Sequence, residues 1–379
     1  MNAPPSIHQH DNRCITCILP AHYPGITLNR QGVCSLCENY QPQTYLGIDE
    51  LKKDIDALLQ RHPKRQYDCV VGVSGGRDST YTLHLLKKEF RLNILAFFVD
   101  HGYIPDHTKQ NVESITQTLG IKLVVKRHTK LEHCFPRQFK AWCKNPNPQT
   151  ISTFCMGCKS SIIQSFYKYS IQYQAPLLVL GWTPFEGARY KMNLMKLNPS
   201  SKSMWSYIGG YMKEVAANPS LMQNPRCTWM QFNEFMTFYG PYKPLLNLLY
   251  QKTEMKPFQK HIHWIEKDIV NVITKEYSWK NFQGMTSTWR GDCYLGPIRQ
   301  KLYKTFLGYN DKTPHLSDLI RDGQLTRSEA LERVQKEEDV PDEVLQECCK
   351  KAGISDTLLM EMSISGKNQT TSLRKNNPG

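Results

Sequence analysis

Two periods alternate along the middle of the chain. Ile48, Leu51, Ile55, Leu58 and Leu59 recur at helical spacing and share one side. After the basic turn HPKRQ, residues 67–74 (YDCVVGVS) form a short apolar run, which reads as a buried strand. Helical spacing returns from Asp78 to Phe90, with Leu83, Leu85 and Leu86 apolar and Lys87 and Lys88 suited to the C-terminal end of the dipole. The sequence NILAFFVD predicts a second strand, and 106–119 a polar-faced helix stopped by Gly120. The sequence IKLVVKRH predicts a third strand. A Pro- and Asn-rich loop covers 144–150, 155–173 reads as a helix, and PLLVLG as a fourth strand. Strands that alternate with helices require right-handed crossovers, so the expected fold is an open, mostly parallel α/β sheet covered on both faces.

The flanks are less regular. Residues 191–290 are dense in Trp, Tyr, Phe and Met and broken by Pro and Asn. They read as helices and loops against the sheet, either lining a substrate pocket or forming an irregular core. Further on, LSDLIRDGQLTRSEALERV carries helix-start signals. Ser317 is expected to cap a short helix, and Thr326 with Glu329 has capping-box spacing ahead of Leu331 and Val334. The chain divides into a cysteine-bearing segment at 1–45, the α/β domain at 46–190, an aromatic region at 191–310, C-terminal helices at 311–362 and a frayed tail at 363–379. Residues 1–12 read as a flexible lead.

Hydrophobic residues make up 40% of the 379, enough for a large core. The formal net charge of +14 favours anionic partners such as nucleotides, sugar phosphates, RNA or an anionic membrane face, without choosing among them or excluding a merely basic surface. No apolar run approaches the roughly 18 residues that would span a bilayer. The start MNAPPSIHQHDN lacks the order of a signal peptide, so a cytoplasmic location is expected. In a reducing compartment the 13 cysteines point to metal binding or catalysis rather than disulfides.

The most informative stretch is SGGRDS at 74–79, where the first strand ends and a helix begins. Two glycines without side chains let backbone N–H groups approach an anion, and the helix start adds its positive end. Ser74 and Ser79 can donate hydroxyl hydrogen bonds, and Arg77 a positive fork. Asp78 fits beside a phosphate only if it holds the loop or helps bind Mg²⁺. The ATPase pattern GxxxxGK[ST] and the dinucleotide pattern GxGxxG are both absent.

Cys14, Cys17, Cys34 and Cys37 form CxxC, sixteen residues, CxxC, a zinc-ribbon spacing with four thiolates and no open position. A second pair, Cys155 and Cys158, opens a predicted helix just before the fourth strand. It either ligates a metal near the cleft or packs. Cys69, Cys134, Cys143, Cys348 and Cys349 have no informative spacing. In TSTWRGDC, Arg290 and Asp292 are cleft candidates beside the reading of an ordinary turn. His101, His107 and His128 follow strands and read more simply as surface or capping histidines.

The loop SGGRDS after an apolar strand resembles the SGGxDS signature of the PP-loop ATP pyrophosphatases, of the adenine nucleotide alpha hydrolase-like (HUP) type. GMP synthetase, asparagine synthetase, tRNA-thiolation enzymes and deazaguanine nitrile synthases belong there. Such enzymes split ATP between its α and β phosphates and adenylate an oxygen that ammonia or sulfur then displaces as AMP. The resemblance covers about 67–190. It implies that Ser74, Gly75, Gly76, Asp78 and Ser79 hold pyrophosphate, with Arg77, Asp78 and Ser79 as the catalytic positions. It sets Phe98, Val99 and Asp100 against adenine and ribose, and Gly181 and Trp182 at the far side of the cleft. The usual Lys of the signature is Arg77 here. Thiolation relatives carry a CxxC like Cys155 and Cys158 with a third cysteine that completes an iron–sulfur site. Cys293 and Cys227 are candidates for the third.

The order CITCILPAHYPGITLNRQGVCSLC, followed by VVGVSGGRDST and the C-terminal LSDLIRDGQLTRSEALERV, narrows the resemblance to N-acetyl sugar amidotransferases of lipopolysaccharide and surface-polysaccharide biosynthesis. That resemblance implies ATP, Mg²⁺ and Zn²⁺ as cofactors and conversion of a sugar's acetamido group to an acetamidino group. The sugar is expected to be nucleotide-linked, and the ammonia to come from a partner glutaminase subunit. The alternative keeps the nucleotide chemistry and delivers sulfur to a tRNA or small molecule through Cys155 and Cys158. A zinc-ribbon nucleic-acid binder with a degenerate loop is disfavoured by the intact SGGRDS.

Overall fold

In the computed structural model, the described residues are 12–155, 158–181, 183, 185, 194, 204–222, 225, 228–229, 232–233, 254–255, 258–355, 357–359 and 361–362. The expected flexible lead (but for its last residue) and frayed tail lie outside them.

The sheet is built from short apolar strands. They are β1 (Cys69–Gly72), β2 (Ile94–Asp100), β3 (Lys122–Arg127), β4 (Leu177–Leu180) and the two-residue β5 (Glu254–Met255), in the order β3-β2-β1-β4-β5, all parallel. In register, Cys69 lies opposite Ile94 on one side and Leu177 on the other. Because side chains alternate along a strand, each strand feeds two cores. Cys69, Val71, Ile94, Ala96 and Phe98 join one core, with Leu83 and Leu86 from the helix after β1; Val70, Leu95, Phe97 and Val99 join the other, with Ile163 and Phe166. The edge strand β3 is half-exposed and carries Lys122, Lys126 and Arg127, charges that discourage a further strand from pairing there.

The helices before and within the sheet are α1 (Ser35–Glu38), α2 (Ile48–Gln60), α3 (Arg77–Lys88), α4 (Asp106–Thr118), α5 (Thr129–Glu132), α6 (Cys134–Trp142) and α7 (Cys158–Gln172). Gly120 follows α4 at φ 62°, a left-handed stop that a glycine adopts without strain. The helix expected over 155–173 is two elements. Pro148–Cys155 forms 3₁₀ turns that begin inside the expected loop, and α7 starts only at Cys158. The Pro and Asn residues of 144–150 end one helix without preventing this tighter winding.

The remaining helices among the described residues are α8 (Met204–Ala217), α9 (Glu266–Tyr277), α10 (Leu295–Leu307), α11 (Lys312–Arg321), α12 (Arg327–Glu337) and α13 (Asp342–Ala352). Helix α9 belongs to the sheet's own core through Ile273 and Tyr277. A third core joins α6, α10 and α13 through Phe139, Trp142, Ile298, Phe306 and Cys348. The cysteine-bearing segment packs on the C-terminal helices. Its Cys14, Leu19 and Tyr23 meet Tyr309, and Ile18 meets Leu316, Leu319 and Val334.

Thr326 caps α12 with a full capping box, its side chain accepting from Glu329 N–H while Glu329 reaches back. Ser317 does not cap. It lies inside α11, fully buried, and its hydroxyl donates to the Thr313 carbonyl at 2.9 Å. The helix has already begun at Lys312, so no open N-terminus is left for it. No helix among the described residues is long and apolar enough to cross a membrane.

Candidate nucleotide site and cysteine centre

The glycine turn sits where the parallel strands end, the usual position of a ligand in an open α/β sheet. Gly75 adopts φ 79°, and a Cβ there would strike the Thr108 backbone carbonyl. Its own carbonyl accepts from Trp279 Nε1 at 3.0 Å and Asn111 Nδ2 at 3.2 Å. Ser79 is buried and locks the turn, its hydroxyl donating to the Gly76 carbonyl and lying 3.0 Å from Ser74 N. Ser74 is the exposed hydroxyl of the pair. Gly181 abuts α3 so closely that a Cβ would overlap Ser79 Cα.

A cavity of about 300 Å³ opens over this turn. Its walls include the whole of 72–79, together with Phe98, Val99 and Gly181 as expected from the sequence. Asp100 is not on the wall. Its carboxylate pairs with Lys109 at 3.1 Å and accepts from Gly102 N–H at 3.0 Å. Trp182 and Cys227 lie outside the described residues. His101 and His107 line the cavity while His128 does not. Burial lowers the His101 imidazole to about 4, so it faces the cavity uncharged, and moves His107 the same way.

Arg77 does not offer its fork to the cavity. Its buried guanidinium pairs with Glu266 at 3.1 Å, donates to Thr288 Oγ1 at 2.8 Å and lies 3.4 Å from both Asp78 Oδ2 and His315 Nε2. Glu266 also pairs with Arg333 at 2.9 Å and His315 at 3.3 Å. Burial alone would raise the Glu266 carboxyl, yet the His315 hydrogen bond and the charges of Arg77 and Arg333 hold it well below the carboxylate range. The Asp78 side chain is fixed in place, accepting from Trp264 Nε1 at 2.7 Å. Of the three expected catalytic positions, then, Arg77 and Asp78 tie the loop to α9 and α11, and Ser79 ties it to itself.

The sequence reading missed these anchors. Trp264, Glu266, Trp279 and His315 lie far along the chain, and no local spacing marks them. Asn111 is a polar residue on the buried side of an otherwise ordinary helix.

Asp292 approaches the turn from the 288–293 loop. Its Oδ2 lies 3.0 Å from where a Gly76 Cβ would stand, and its carboxylate hydrogen-bonds Ser74. Burial pushes its carboxyl up, and the nearby Asp78 charge adds to this. A carboxylate over a phosphate cradle repels the phosphates unless a cation lies between. Asp292 and Ser74 offer hard oxygens of the kind that Mg²⁺ takes, so the residues fit that ion.

Cys155, Cys158 and Cys293 line the same cavity. Arg299 Nη1 donates to Cys155 Sγ at 3.4 Å, and burial pushes the Cys293 thiol up. Among the described residues, the group whose ligand atoms all fall within 4.8 Å is instead Cys14, Cys17, Cys34 and Cys37. Sulfurs of Cys14 and Cys37 are 3.9 Å apart, those of Cys17 and Cys34 3.7 Å. A tetrahedron with metal–sulfur bonds of about 2.3 Å has edges of about 3.8 Å, so the four thiols fit one ion. Backbone N–H groups of Cys17 and Cys34 donate to Cys14 Sγ, and Arg321 donates to Cys37 Sγ at 3.7 Å. Such donors compensate the negative charge of a thiolate centre. Hydrogen bonds with Cys17 and then Cys37 pull the Cys34 thiol well below its ordinary value, while those with Cys17 and Cys34 raise Cys37.

Cys34→Ser is expected to release the metal and lower the unfolding midpoint by about 5 °C or more, because a segment with few apolar residues loses its staple. Metal content and thermal unfolding of the purified variant check this. Full metal retention would rule the four thiols out as the ligand set.

Residues 68–170 match the phosphoadenosine phosphosulfate reductase domain, and residues 301–377 match the LPS biosynthesis protein WbpG-like C-terminal domain. The chain is 32% identical over 81 residues to an uncharacterized protein of Methanocaldococcus jannaschii, covering 21% of this chain and 29% of that one. It is 40% identical over 76 residues to the glutamine-hydrolyzing GMP synthase of Pyrobaculum aerophilum, covering 20% of this chain and 15% of that one. The chain thus spans less than a third of either relative's length. A U34-tRNA thiolase, NcsA from Methanococcus maripaludis with its 4Fe–4S cluster, aligns over 94% of this chain and 99% of its own at 17% identity and a TM-score of 0.32. The glycine turn on its parallel sheet, the domain match and the GMP synthase similarity support a domain of PP-loop ATP pyrophosphatase type around 68–170, followed by a region at 301–377 similar to the WbpG-like C-terminal domain.

Proposed function

We propose that the protein is an ATP-dependent amidotransferase that converts the acetamido group of an N-acetyl sugar to an acetamidino group in surface-glycan biosynthesis. The observation that carries this reading is the meeting of the two matched regions. The loop 288–293 closes the cavity over the PP-loop and abuts the WbpG-like helices.

The chemistry balances. The amide oxygen attacks the α-phosphorus of ATP, the bond to the β-phosphate oxygen breaks, and pyrophosphate leaves. Ammonia adds to the resulting imidate carbon, and the tetrahedral adduct expels AMP carrying the original amide oxygen. The surplus proton leaves to solvent. Ser74 and the N–H groups of the turn bind the phosphates, and Trp279 and Asn111 fix the turn's shape beforehand. Mg²⁺, when held by Asp292 and Ser74, neutralises phosphate charge. The apolar walls formed by Phe98, Val99 and Phe166 exclude water from an imidate that would otherwise hydrolyse. Zn²⁺ suits the four N-terminal thiolates as a structural ion. Ammonia would come from a separate glutaminase subunit.

A second reading, sulfur transfer to a tRNA or small molecule, is favoured by Cys155, Cys158 and Cys293 lining the cavity. Measuring pyrophosphate release separates the two. Dependence on ammonia plus an N-acetyl sugar is expected; dependence on a sulfur donor would replace the first reading with the second.

Gly181→Ala is expected to weaken ATP binding at least tenfold and cost about 1–3 kcal/mol, since the new methyl group overlaps the Ser79 backbone. Calorimetric titration with ATP and denaturant unfolding check it.

A further inference from the structure

A second cavity, of about 350 Å³, lies on the other side of Trp289 and Arg290, which line both. Four separate parts of the chain build it, one of them Phe185 after β4. The cysteine segment gives Tyr23 and Tyr40, the 289–290 turn gives the shared wall, and the C-terminal helices give Tyr303, Asp311, His315 and Asp318. We infer that this chamber is the acceptor subsite, and that it takes the sugar ring with its acyl amide rather than the nucleotide or diphosphate part of the substrate. The inference rests on the amidotransferase reading.

Charge decides which part of the substrate enters. Arg290, Arg299 and Arg321 stand against Asp311, Asp318 and Asp322 on the walls. Arg290 and Arg299 both pair with Asp311, at 3.2 and 3.5 Å, and Arg321 pairs with Asp318. With three guanidinium groups facing three carboxylates, the chamber has no surplus of positive charge for a diphosphate. Paired planar groups of both signs offer donors and acceptors together, which a ring of hydroxyls needs and a phosphate does not. Tyrosine rings on the same walls give amphipathic faces for the apolar side of such a ring. The volume sits at the small end of ligand sites, room for one ring and its acyl group.

The shared wall is built like a site. Trp289 stacks on His315 with centroids 3.9 Å apart and planes at 7°. Arg77 and Arg290 lie 5.4 and 5.2 Å from the Trp289 ring centroid. Trp289 Nε1, His315 Nδ1 and Arg299 Nε are buried without a hydrogen-bond partner among the described residues. Arg290 itself adopts φ 56°, a left-handed conformation that a side-chain-bearing residue holds only when its surroundings impose it. Buried polar groups without a partner and backbone strain at one junction are features that folding alone does not favour. Trp289 and Arg290 line both cavities, so an acyl amide held against this wall lies on the side of the chamber next to the PP-loop.

The test uses Tyr40→Ala and Asp318→Asn in the full chain, with a panel of N-acetylhexosamines, free and as UDP conjugates, as probes. Ammonia-dependent pyrophosphate release gives the acceptor KM, and calorimetric titration gives the ATP Kd. Each variant is expected to raise the acceptor KM tenfold or more, by the same factor for free and UDP-linked sugars, with the ATP Kd within twofold of the parent. An unchanged acceptor KM in both variants, while sugar-dependent release persists, would overturn the subsite and leave the amidotransferase reading standing. A loss confined to UDP conjugates would assign the chamber to the nucleotide part instead. Failure of every N-acetylhexosamine to stimulate release in the parent protein would remove the amidotransferase reading and the subsite with it.

Discussion

Arg77→Ala is expected to destabilise the protein by about 3 kcal/mol, in the lower part of the range for removing one partner of a buried ion pair. The guanidinium is 3% exposed and bridges Asp78, Glu266 and Thr288. Its removal leaves a buried carboxylate short of one cation. Arg333 still pairs with Glu266, which keeps the loss from the top of that range. Arg77→Lys is expected to recover only part, because an ammonium on a flexible stem cannot meet Glu266 and Thr288 with two fixed donors. The acid limb gives an independent check. The Glu266 carboxyl is held below its ordinary range, so its contribution is complete above the unfolded carboxylate range and lost as pH falls toward the lower folded value. Denaturant unfolding at neutral and acid pH should therefore show the parent losing more stability on acidification than Arg77→Ala. A loss below about 1 kcal/mol at neutral pH would mean that Arg77 does not hold α3 to α9 and α11.

This role for Arg77 marks where the sequence stopped being legible. The strands were readable because a parallel sheet covered on both faces needs near-continuous apolar runs, as in CVVG and ILAFFVD. The turn was readable because only glycine suits the positive φ and the close contact with Thr108 at Gly75. The cysteine centre was readable because two CxxC turns impose their own geometry. Side-chain direction was not. Whether Arg77 points to a phosphate or into the protein depends on Glu266 and His315, which no local pattern connects to it. Asp292 was only a cleft candidate beside the reading of an ordinary turn, because its position over Gly76 follows from how the 288–293 loop folds back onto α3 and α4. The second chamber was the least legible part. Its walls run from Leu19 to Asp322, and no local pattern connects the contributors. Ser317 failed for a simpler reason: its helix starts five residues earlier than the capping signal suggested.

Asp292→Asn is expected to reduce pyrophosphate release by about 10²–10³-fold, the scale of losing one preorganised electrostatic group at a transition state. The variant keeps the shape and can still hydrogen-bond Ser74, so the fold should survive. Burial holds the Asp292 carboxyl above its ordinary range, so its ionisation opposes folding as pH rises through that range. Asparagine removes that opposition, and the unfolding midpoint at neutral pH should stay level or rise. Binding of ATP should then split by metal. Without Mg²⁺, ATP is expected to bind several-fold tighter to the variant, because a carboxylate over Gly76 no longer repels the phosphates. With Mg²⁺, the concentration giving half-maximal activity should increase at least tenfold, because one oxygen ligand has lost its charge. A purely structural role for Asp292 predicts instead that metal-free and metal-loaded binding fall together. Calorimetric titration of ATP with and without Mg²⁺, beside a Mg²⁺ titration of pyrophosphate release, distinguishes the two, and an unchanged Mg²⁺ requirement would remove Asp292 from the metal site.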